Sequence, residues 1–102
     1  MTLQTIPAQV KPLGYQQLSA ATLAAATHLS PPAGATMAVI VDAVSATAVR
    51  YRDDGTAPDA THGISVAGPN YPPLVYTGDL AAIQFILSTG APILDILYYG
   101  NV

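Results

Sequence analysis

Between residues 50 and 63 the chain reads Arg-Tyr-Arg-Asp-Asp-Gly-Thr-Ala-Pro-Asp-Ala-Thr-His-Gly, and this stretch holds five of its nine charged side chains. Arg and Asp bring forked donors and multiple acceptors, so directional hydrogen bonding must concentrate here. Asp53, Asp54 and Asp59 with His62 could hold a hard cation. Their spacing departs from the calcium-loop pattern D-x-[DN]-x-[DN]-G, however, and no distant acidic ligand is evident. The favoured reading is that Asp53 and Asp54 cap a turn at Gly55 and pair with Arg50 or Arg52, and neither metal nor cofactor is expected.

His28 and His62 are the only general bases of the usual kind, and the serines at 19, 30, 45, 65 and 88 sit in no G-x-S-x-G elbow. Glutamate is absent, so an acid displaced by burial would have to be Asp42 or Asp95, both inside apolar runs. A structural hydrogen-bonding role suits each better than catalysis. Both phosphate-cradling glycine motifs are missing. The chain is therefore expected not to be an enzyme, with a small hydrolase or isomerase around His62 as the outside reading. Six tyrosines stand against one phenylalanine and no tryptophan. Tyr71, Tyr76, Tyr98 and Tyr99 could stack against sugar, but tyrosine equally suits interfaces, which are favoured here because sugar sites usually add Asn, Gln or charged groups.

The elements that must position these residues belong to one domain, since 102 residues make one core. Only 9% of the chain is charged and 51% is hydrophobic, so an isolated monomer would show water an unusually apolar surface. Association, as a homo-oligomer or within a larger assembly, is the expected remedy. A net charge of -3, with Lys11, Arg50 and Arg52 the only cations, argues against nucleic acid. No apolar stretch approaches a membrane span, and the start has no basic segment followed by an apolar run. Without cysteine, stability must come from packing.

Residues 1–17, with Pro7, Pro12 and Gly14, read as an extended N-terminal arm, either mobile or laid over a neighbouring subunit. Residues 18–102 form the folded domain. Leu18 to Leu29 is ambiguous between helix and strand, with strand favoured because the remainder of the chain reads as β. From Thr36, Met37, Val39, Val41 and Ala43 alternate with Ala38, Ile40, Asp42 and Val44, apolar on both sides until Asp42, which predicts a strand buried on both faces. Val49 and Tyr51 alternate with Arg50 and Arg52 as a half-exposed strand. Further strands read as 63–67, 74–77, 83–87 and 93–99, parted by Gly68-Pro69-Asn70, Gly78-Asp79 and Gly90-Ala91-Pro92. The expected fold is all-β: a small antiparallel β-sandwich, jelly-roll-like, of six to eight short strands.

The Arg50-Tyr51-Arg52-Asp53-Asp54-Gly55-Thr56 run, the later Gly78-Asp79-Leu80, and the flanking segments Pro32–Thr36, Ile83–Ile86 and Leu94–Tyr99 resemble a group of small bacteriophage and prophage proteins over roughly residues 18–100. The resemblance implies a virion-associated β-sandwich and offers no catalytic residues. Among virion roles it points first to a capsid decoration or cement protein. Its partners would then be the major capsid protein, other virion proteins and further copies of itself; it would be made in the bacterial host cytoplasm and end in the virion. The alternative is a tail or fibre component with a carbohydrate-binding sandwich. On this reading apolar strand faces and Tyr51, Tyr76, Tyr98 and Tyr99 bury area. Arg50, Arg52, Asp53 and Asp54, with Gly55 shaping the turn, fix register, and Arg52 is expected to pair with Asp54 or Asp79.

Overall fold

The computed structural model describes residues 9–102. Eight strands run in order: β1 (Val10–Leu18), β2 (Thr27–His28), β3 (Ala35–Asp42), β4 (Ala48–Arg52), β5 (Ile64–Ala67), β6 (Leu74–Tyr76), β7 (Gln84–Thr89) and β8 (Leu94–Asn101). They form two four-stranded antiparallel sheets, β1-β8-β3-β6 and β2-β7-β4-β5. The chain is a nested ribbon in which β4 pairs β5, β3 pairs β6, β2 pairs β7 and β1 pairs β8. Rolling that ribbon brings β8 onto β3 and β7 onto β4, which is the order of a jelly roll.

Between the sheets lie Ala38, Ile40, Leu94, Ile96 and Tyr98 from the first and Val49 and Phe85 from the second, closed at the ends by Leu18, Leu23, Leu29, Leu80 and Ile83. Strand alternation dictates the members drawn from the two sheets, because residues two apart share a face, whereas Leu23, Leu29, Leu80 and Ile83 come from the connections. The Tyr51 and Phe85 rings meet at a centroid distance of 5.6 Å across the β4–β7 pair.

Four expectations need correction. The part of the expected arm that lies within the described residues is no appendage: β1 pairs along its length with β8, a bulge between Pro12 and Gly14 accommodating the proline. Residues 1–8 lie outside the described residues. Leu18–Leu29 is mostly not strand: the Leu23 N–H donates to the Ser19 carbonyl at 2.9 Å on the way into a single 3₁₀ turn over Thr22–Ala24, and beyond Leu18 only Thr27–His28 pairs. β3 is not buried on both faces: Ala38, Ile40 and Asp42 are buried, whereas Met37, Val39 and Val41 are half-buried because, among the described residues, no layer covers the outside of their sheet. Tyr98, expected at an interface, is a core residue at 1% exposure. Its hydroxyl donates to the Gln16 side-chain carbonyl, and burial pushes its pKa up.

Candidate functional site

The charged stretch occupies β4 and the loop that joins it to β5. Arg50 points outward from β4, and its guanidinium donates to the carbonyls of Ala60 at 3.1 Å and Gly63 at 2.9 Å. Ser88 on β7 donates to the same Ala60 carbonyl at 3.1 Å. The loop is thereby folded back over the outside of the second sheet, with Pro58 buried beneath it. Gly63 makes this close approach possible: it has φ +133°, and a Cβ there would meet the Tyr51 carbonyl at 2.9 Å.

Arg52 grips Asp54 through two bonds, at 3.1 and 2.6 Å. The guanidinium, helped by the Thr56 N–H, holds the Asp54 carboxyl below the usual range, and Asp54 raises Arg52 in return. Gly55 turns the chain with φ +86°. Asp79 is elsewhere, its carboxylate accepting the Ala81 N–H at 3.0 Å. Asp53 accepts the Tyr76 hydroxyl at 2.7 Å, and burial together with that carboxylate pushes Tyr76 up to about 12.

Beyond these pairs the Asp59 carboxylate takes the Thr61 N–H at 2.9 Å and His62 Nδ1 at 2.8 Å. The Thr61 N–H first, then His62, holds Asp59 well below the usual carboxylate range. An open cleft of about 460 Å³ is lined by Tyr51, Arg52, Asp53, Asp54, Thr61, His62, Gly63 and Ile64. The His62–Asp59 pair beside it resembles the base and orienting carboxylate of a catalytic dyad, but its side chains are 70% and 61% exposed. Such exposure supplies little desolvation, and the one hydroxyl against the ring, that of Thr61 at 3.1 Å, faces the same Nδ1 that Asp59 holds and is itself bonded to Asp59 at 3.0 Å, so base and carboxylate do not work from opposite ring nitrogens. Among the described residues no three His, Cys, Asp or Glu side chains converge as metal ligands.

The tyrosines do not form one platform. Tyr98 is in the core, Tyr76 is tied to Asp53, Tyr71 stands 78% exposed in the β5–β6 connection, and Tyr99 lies on the outside of the first sheet. Asp42 and Asp95 both accept hydrogen bonds. Buried Asp42 takes the Thr47 hydroxyl at 2.8 Å and the Val44 N–H at 3.2 Å, and Asp95 takes Tyr15 at 2.5 Å and Gln17 at 3.0 Å. The Asp95 bond raises the Tyr15 phenol.

The feature that residue patterns alone did not isolate is the outside of the first sheet. Tyr15 pairs with Leu97, Leu97 with Val39 and Val39 with Val75, one side chain from each strand in a single row. Tyr15, Leu97 and Val75 are exposed at 59, 42 and 56%. Tyr99 and Met37 extend the face on one side of this row, and Asp95 and Val41 on the other. Asp95 is its one charged side chain among the described residues. The outside of the second sheet differs: Arg50, Arg52, Gln84 and Ser88 point outward there with Ile86 among them, and its own loop lies over it. Alternation in β3 and β8 was the available signal, but it identifies two sides without saying which one a second sheet will cover.

Compared with known protein families, curated proteins and solved structures, the chain gives no match.

Proposed function

We propose that this protein is a structural subunit of a bacteriophage particle, a capsid decoration or cement protein whose task is to bind other subunits. The observation that carries the reading is the contrast between the two sheet exteriors. A chain that clasps its own loop over one exterior and leaves a four-strand-wide apolar row bare on the other has a side reserved for a partner, since patches of that kind mark interaction surfaces. The jelly-roll order adds fold-level support, because the architecture recurs in capsid and lectin domains.

The clasp supports docking through the other side. Arg50, Arg52, Asp53 and Asp54 find their partners inside the chain, so the charged stretch shapes the subunit, and the apolar face supplies the contact area. Purification from infected or induced cells tests this. The protein should travel with a particle of megadalton mass, and Leu97→Arg should release it while leaving its melting temperature unchanged. Recovery of the wild-type chain only as free protein in such cells would overturn the reading.

A second reading, a carbohydrate-binding sandwich in a tail or fibre, is favoured by one observation: the cleft is lined by Arg52, Asp53, Asp54 and His62, forked donors and acceptors of the kind that orient a sugar. Glycan-array binding lost in His62→Ala and kept in Leu97→Arg would select it over cement.

A further inference from the structure

The outside of the first sheet is complementary to itself. Leu97 lies in the central row Tyr15–Leu97–Val39–Val75. On β8 the next outward residue on one side is Asp95, an acceptor, and on the other Tyr99, a phenol. Among the described residues the Tyr99 hydroxyl has no side-chain partner, and Asp95 is already bonded to Tyr15 and Gln17 of its own sheet. A two-fold axis in the plane between two facing sheets, running along the row, reverses the strand direction of the second copy. It sets row on row and Val41 on Met37, and carries Asp95 of each copy over Tyr99 of the other. The two carboxylates are thus kept apart, and each meets a donor.

We infer that this face mates with the same face of a second copy of the chain, in a two-fold sandwich of sheets whose axis runs along the Tyr15–Leu97–Val39–Val75 row. This deepens the assembly reading above and rests on it for its biological setting, but not for its geometry. An isologous contact requires a surface that is its own complement, and the placement of Asp95 and Tyr99 two residues to either side of Leu97 meets that requirement. Sheets so aligned pack about 10 Å apart with their strands about 30° from parallel. Strand spacings of about 4.8 Å and rises of about 3.3 Å give each face about 400 to 500 Å². The contact therefore covers close to the roughly 1,000 Å² at which specific interfaces begin. A contact of this size suits reversible self-association, which matters most where a particle surface concentrates the subunits.

The absence of cysteine makes the axis testable. Sedimentation of the full chain from about 1 μM to about 1 mM should show a monomer–dimer equilibrium. Leu97→Arg should abolish it with the melting of the dilute monomer unchanged, and Ile64→Arg, a more exposed apolar position off this face, should not. Val39→Cys, on the axis, should link to itself through a short bis-maleimide. Asp95→Cys alone should not link, but a mixture of Asp95→Cys and Tyr99→Cys chains should. A wild-type monomer throughout that range, a Leu97→Arg dimer, or Asp95→Cys linking to itself as readily as Val39→Cys would overturn the inference. A wild-type monomer that still joins particles would overturn the self-pairing and spare the assembly reading. A dimer with these cross-links that joins no particle would support the pairing and remove the virion reading.

Discussion

The Tyr76 hydroxyl, on the edge strand β6 of the first sheet, donates to the Asp53 carboxylate at 2.7 Å, just past the end of β4 in the second. The bond ties the two sheets where the charged loop begins, so the loop is anchored to both layers of the sandwich.

Tyr76→Phe should therefore cost about 1 kcal/mol at neutral pH and loosen the start of the loop. Tyr76 is raised from 10.0 to about 12, which means the folded state prefers the protonated phenol. That contribution is complete below pH 10 and is lost between about 10 and 12. Wild-type stability should fall more steeply than that of Tyr76→Phe across this window, as read by urea melts at each pH; equal slopes would show that the bond contributes nothing.

Asp42 joins two connections. Its carboxylate takes the Val44 N–H and the Thr47 hydroxyl, Asn70 bonds the Asp42 N–H and the Ile40 carbonyl, and the Gly68 N–H reaches the Thr47 carbonyl. Asp42→Ala should lose about 1–3 kcal/mol, because the part-buried Val44 N–H is left without its acceptor, while the Thr47 hydroxyl keeps the Val44 carbonyl at 2.8 Å. Gly68→Ala should lose about 1–3 kcal/mol, since its Cβ would collide with the Val44 carbonyl and approach the Asp42 carboxyl carbon to 2.6 Å. Unchanged melting in either variant would dismiss this cluster as a structural device.

Arg50 and Arg52 should behave differently despite their shared charge and strand. Arg50→Ala removes two bonds to loop carbonyls, so amide exchange at Ala60–Gly63 should accelerate strongly. Arg52→Ala removes an exposed pair within one turn, and its melting temperature should barely move. The reverse order would mean the loop is held by the Arg52 turn.

Asp59 should make the loop acid-sensitive. Its carboxyl is lowered below the ordinary 3.8, so its contribution is complete above that pH and fades as pH falls below it. In Asp59→Asn, loop order monitored by NMR at Thr61 and His62 should lose this acid dependence. Equal loss of loop order in wild type and Asp59→Asn as the pH falls below 3.8 would contradict it.

Local chemistry was enough to establish the all-β class, the turn at Gly55 and a strand through Val49–Arg52, because period-two alternation and turn residues act over a few residues. It left Arg52 a choice of Asp54 or Asp79, which the fold settled for Asp54, and the expected pairing of Asp53 with an arginine gave way to Tyr76. Fold topology acts over the whole chain. Pairing of β1 with β8, at the far end of the chain, turned the expected arm into an edge strand and put Tyr15 beside Leu97. The placement of the second sheet buried Tyr98 and left Val39 and Leu97 facing out, a choice that alternation alone does not make. Residue order therefore determined that this chain has two kinds of face. Only the tertiary structure decided which face is sealed inside, which is clasped under its own loop and which is left for a partner, because burial depends on neighbours that lie far away along the chain.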